Sequence, residues 1–74
     1  MKRKIELTAV IEMEDNIYIS FCPELDIASQ GETAEEAKSN LIETLELFYE
    51  TASETEISRR LRNELQISRV TVNV

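Results

Sequence analysis

The sequence predicts an α+β fold of two layers, an antiparallel sheet in the order β-β-β-α-α-β packed on one long helix. Three observations carry this. Residues Lys4 to Met13 alternate strictly between two sides, as a strand with one buried face does. From Ala34 to Ala52 apolar residues recur at three- and four-residue steps, the spacing of an amphipathic helix. The final stretch, Arg69-Val70-Thr71-Val72-Asn73-Val74, alternates again. Seventy-four residues without a linker, repeat or low-complexity segment make one domain, 1–74.

Each element has its own local justification. Ile5, Leu7, Ala9, Ile11 and Met13 form the inward side of the first strand. Glu14-Asp15-Asn16 supplies turn chemistry, with Asn16 suited to a left-handed backbone. Ile17, Ile19 and Phe21 then read as the inward side of a second strand, with Tyr18, Ser20 and Cys22 outward. Pro23 ends the ladder because it has no amide hydrogen, and Glu24-Leu25-Asp26 turns the chain. Ile27 to Gln30 is a short third strand. Gly31, the only glycine, is expected at positive φ.

Thr33-Ala34-Glu35-Glu36 is a capping box: the Thr33 hydroxyl accepts from the Glu36 amide, and the Glu36 carboxylate returns to the Thr33 amide. The helix then runs to about Thr51. Ala34, Ala37, Leu41, Leu45, Phe48 and Ala52 form its stripe, widened by Ile42 and Tyr49. Ser53-Glu54-Thr55-Glu56 repeats the capping logic. A second, shorter helix follows, with Ile57, Leu61 and Leu65 on one face and Arg59, Arg60 and Arg62 largely off it. Those arginines are expected to pair with acids of the long helix, within one subunit or across a dimer. A fourth strand closes the chain between Ile67 and Val74.

Charge is unevenly spread. Residues 1–56 hold fourteen acids and four bases, a net of −10; residues 57–74 hold one acid and four bases, a net of +3. An acidic body repels phosphates and favours a basic partner, so direct nucleic-acid binding is not expected. The Arg59-Arg60-x-Arg62 cluster lacks the interleaved aromatics that stack bases. A single cysteine excludes an internal disulfide. The start of the chain alternates where a signal peptide needs an apolar run, and no run approaches a membrane span. A cytoplasmic protein is the expectation.

Nothing reads as catalytic. Histidine is absent, which removes the usual general base and the commonest metal ligand. Cys22 without histidine is a poor nucleophile and reads as ordinary packing. A metal nuclease needs carboxylates converging from several elements, and the spacing of Glu6, Glu12, Glu24 and Asp26 does not require that. No metal, cofactor or enzymatic turnover is expected.

The segment from Phe21 to Ala37 carries a further signal. Pro23-Glu24-Leu25, Ser29-Gln30-Gly31 and Thr33-Ala34-Glu35-Glu36-Ala37, followed by Asn40 and the Leu41/Leu45/Leu47/Tyr49 helix, resemble the signature of the HicB-like antitoxins. The likeness covers roughly residues 4–52. It implies a truncated ribonuclease-H-like core that is catalytically inert. It also implies a partner, a small basic HicA-like toxin that cleaves messenger RNA. Many relatives carry an insert after the Pro-Glu-Leu turn; here Asp26-Ile27-Ala28 gives the shorter connection of a compact stand-alone subgroup. Many also carry a DNA-binding domain, which is not seen before Val74, so the resemblance leaves operator binding open.

On this reading the contact surface is Glu24 and Asp26 on the turn together with Glu35, Glu36, Glu43, Glu46 and Glu50 on the helix. Carboxylates there would cover a groove built for RNA and speed encounter. A homodimer or tetramer is expected, built on the Val70–Val74 strand or the apolar edge of the long helix. The alternative is a stand-alone oligomeric scaffold or regulatory module with no toxin. An enzyme using Glu24 or Asp26 ranks third.

Overall fold

A computed structural model of the chain describes residues 4–61 and 66–74. Its elements are β1 (Val10–Glu14), β2 (Ile17–Cys22), β3 (Ile27–Gly31), α1 (Ala34–Thr51) and α2 (Glu54–Leu61). The strands form an antiparallel meander in the order β1-β2-β3. The α+β class and its sheet-on-helix layering follow, with three strands among the described residues.

The β1–β2 hairpin closes through Asp15 and Asn16, both at positive φ (48° and 68°), between the paired Glu14 and Ile17. Two consecutive left-handed residues match the twist of the flanking strands, and Asp and Asn tolerate that backbone better than most.

β1 begins at Val10, six residues later than the alternation suggested. The register explains this. Val10 pairs with Phe21, so Thr8 falls opposite Pro23, which has no N–H to donate. The Thr8 amide and hydroxyl instead both donate to Glu24 Oε2, at 2.9 and 2.7 Å. A side chain replaces the ladder there.

The faces of β2 are reversed from the sequence reading. Ser20 and Cys22 are fully buried, whereas Ile17 is 39% exposed. Ile11 lies opposite Ser20 and Ser29 opposite Ser20 on the other side, so these share the helix-facing surface. The reason is steric. Ser20 Oγ donates to the Ala37 carbonyl at 2.7 Å, a contact that only a small residue permits. A Cβ on Gly31 would stand 2.5 Å from the Ala37 nitrogen. Gly31 is therefore needed for close approach of helix to strand, and its φ is not positive. Asp26 holds the left-handed turn position instead (φ 56°).

The core is Cys22, Leu25 and Leu41, with Leu7, Ile27, Leu45, Phe48 and Tyr49 packed around it. Ile42 is not part of it and stays 46% exposed. Thr33 caps α1 by accepting from the Glu36 amide at 3.0 Å, while the Glu36 carboxylate accepts from the Glu32 amide, one residue earlier than expected. Ser53 Oγ caps α2 in the same way, through the Glu56 amide. α2 is fixed by Arg60, which donates to the Leu25 carbonyl at 2.8 Å and lies over the Phe48 ring.

Residues 66–74, the expected fourth strand, have no regular secondary structure and are exposed. A strand needs a neighbour for its amides and carbonyls, and no hydrogen bond joins this segment to the sheet. Arg62 and Leu65 lie outside the described residues. Among the described residues no helix is long and apolar enough to cross a membrane.

Candidate functional site

The most distinctive surface is the outer side of α1. The inner side is set by Ala37 and Leu41 against the sheet. At about 100° per residue, Glu35, Glu36, Glu43, Glu46 and Glu50 then fall within a common arc of roughly 100° on the opposite side. All five are exposed. From Glu36 to Glu50 the row is about 21 Å long.

The C-terminal part of the row, Glu43, Glu46 and Glu50, works against the helix that carries it. Glu46 sits one turn from both Glu43 and Glu50, and such like-charge pairs each cost a few tenths of a kcal/mol. Glu50 also lies in the last turn, where the carbonyl end of the helix disfavours anions, and no basic residue occupies that turn. Among the described residues no cation pairs with any of the five. Only Glu36 has an internal task, through the Glu32 amide.

Two apolar residues border the row. Leu47 is 57% exposed, one turn from Glu43 and Glu50; Ile42 is exposed one turn from Glu46. The sequence reading placed Ile42 in the core stripe and gave Leu47 no surface role. Its angular position, about 20° beyond Glu36 at the edge of the glutamate arc, is the signal that identifies it.

The turn residues belong elsewhere. Glu24 is half-buried and joins three groups: it accepts from the Thr8 amide and hydroxyl and from the Cys22 thiol at 3.4 Å. Burial pushes its carboxyl up, but the Thr8 hydroxyl and neighbouring donors outweigh this and hold it below the ordinary glutamate value. The Glu24 carboxylate therefore ties the N-terminal segment to the turn. Asp26 is exposed beside it. The structure thus brings the five helix glutamates together and sets Glu24 apart. Burial pushes the Cys22 thiol up, which leaves it a poor thiolate source.

Arg59 and Arg60 pair with Glu56 on their own helix, not with acids of α1. The Arg60 and Arg59 hydrogen bonds lower the Glu56 carboxyl. Three- and four-residue spacing within α2 satisfies both arginines locally. Glu6, Glu12, Glu24 and Asp26 do not converge: among the described residues no three His, Cys, Asp or Glu side chains are grouped to hold a metal ion.

No family model, curated protein or solved structure matches the chain.

Proposed function

We propose that this protein is a HicB-like antitoxin that binds a small basic, HicA-like, mRNA-cleaving toxin and covers its RNA-binding surface. The observation that carries the proposal is the row of exposed glutamates on α1, which lacks cation partners among the described residues and whose members Glu43, Glu46 and Glu50 oppose their own helix. A surface that is locally unfavourable in the free protein gains most when a cationic partner covers it. Ile42 and Leu47 at its borders add apolar contact. The resemblance of Pro23-Glu24-Leu25, Ser29-Gln30-Gly31 and Thr33–Ala37 to the HicB-like signature supports the same reading. A truncated ribonuclease-H-like core is part of this proposal, supported by the meander leading directly into a long helix.

The mechanism is occlusion without turnover. Complementary charge steers encounter, and desolvated carboxylate–cation contacts hold the complex. Co-expression with a candidate partner, any small basic protein encoded beside this chain, is the test. The two should copurify, and RNA cleavage by that protein should stop at equimolar antitoxin. Cleavage that continues at excess antitoxin refutes the proposal.

A second reading, an oligomeric scaffold with no toxin, is favoured by the exposed Val70, Val72 and Val74. A stable oligomer that binds no basic neighbour would support it over the first.

A further inference from the structure

Two features of the chain are incomplete, and they fit one another. The first is the outward edge of β1, since the sheet order leaves β1 with a neighbour on one side only. The second is the segment 66–74. Val70, Val72 and Val74 are 82%, 70% and 121% exposed, and they alternate with Arg69, Thr71 and Asn73.

The pleat gives a pairing rule. Along β1, Ile11 and Met13 share the helix-facing side, because their partners are Ser20 and Tyr18. Glu12 and Glu14 point the other way. Met13 is 65% exposed although it stands on the side that packs the helix. A strand laid beside β1 with its valines on the Met13 side would cover that side chain. The same placement puts Arg69 on the side of Glu12 and Glu14, where opposite charges across a ladder attract. The other edge is less suited: the Asn40 amide already donates to the Gln30 carbonyl of β3 at 2.7 Å.

We infer that residues 66–74 of one copy add as a strand to the β1 edge of a second copy, and that the exchange is reciprocal. The occupant is a second copy because the segment makes no hydrogen bond to its own sheet. Two reciprocal additions close a twofold dimer and leave no repeating edge. Each sheet gains a strand, and the exposed β1 edge, a hazard for uncontrolled pairing, disappears. This inference does not depend on the antitoxin reading, because it uses β1 and the C-terminal segment and leaves the outer face of α1 free.

The test is the mass of the full chain in solution, with hydrogen exchange at β1. The 8.5 kDa chain should run as a dimer of about 17 kDa, twice that mass. The outward amides of Val10–Glu14 should be protected in the dimer. Val72→Lys, at a position that is 70% exposed in the single chain, should weaken the dimer roughly a hundredfold because two exchanged segments are affected. It should also remove the β1 protection while the hairpin and α1 stay folded. Arg69→Glu should weaken the dimer, and adding Glu12→Arg and Glu14→Arg should restore it. A monomer at millimolar concentration, a monomer with β1 protected by its own segment, or a dimer indifferent to Val72→Lys would each overturn the inference.

Discussion

On its inner side α1 lies so close to β3 that a single methyl on Gly31 would collide with the Ala37 nitrogen. There, Ser20 donates to the Ala37 carbonyl, Asn40 to the Gln30 carbonyl, and Leu41 is 1% exposed. On its outer side the same helix carries five exposed glutamates with no cation partner among the described residues. The inner side is governed by shape and by satisfied hydrogen bonds. The outer side keeps like charges adjacent, which an isolated helix is better without. The contrast separates what holds the fold from what the fold presents. Glu24 illustrates the first case, a carboxylate whose oxygens have donors; Glu43, Glu46 and Glu50 illustrate the second.

The largest effect belongs to the inner side. Gly31→Ala should destabilise the domain by about 2–3 kcal/mol, read as a lower denaturant midpoint, because backbone must move to admit the methyl. A loss below about 0.5 kcal/mol would show that helix and strand separate easily, and the contrast would weaken.

Glu24→Gln should cost about 1–2 kcal/mol through the Thr8 and Cys22 contacts. It should also change the acid limb of stability. The folded-state value of Glu24 is lowered, so its contribution is complete above the ordinary glutamate value of 4.5 and is lost as pH falls below that through the folded value. Wild type should lose stability over this range, and Glu24→Gln should lose less. Parallel curves for the two proteins would contradict the role given to this carboxylate.

The smallest effect has the opposite sign. Replacing Glu43, Glu46 and Glu50 together by Gln should raise stability by a few tenths of a kcal/mol per relieved pair. A thermal scan at low salt reads this. Destabilisation instead would mean that the row has cation partners that support it.

Much of this contrast was legible in the sequence. Asp15-Asn16 announced the hairpin, Pro23 its end, Thr33 the helix start, and the three- and four-residue spacing separated Leu41 and Leu45 from Glu43, Glu46 and Glu50. What was not legible shares one cause. Apolar size was read as depth, so Ile17, Ile19 and Phe21 were turned toward the helix. Close helix approach demands small residues, and Ser20, Gly31 and Ala37 supply them. Likewise Glu24 read as a surface acid, because nothing local reveals that the amide and hydroxyl of Thr8, sixteen residues earlier, both donate to its carboxylate. The valines of the last segment read as a strand from their alternation, yet alternation does not say which edge supplies the hydrogen bonds.

The most direct test of the central claim is the affinity of the proposed basic, HicA-like partner for the wild-type chain and for the Glu43→Gln, Glu46→Gln, Glu50→Gln variant. The account predicts a stable, folded variant whose binding is weaker by roughly a hundredfold, with a shallower dependence on salt. Equal affinity and equal salt dependence for the two proteins would contradict it.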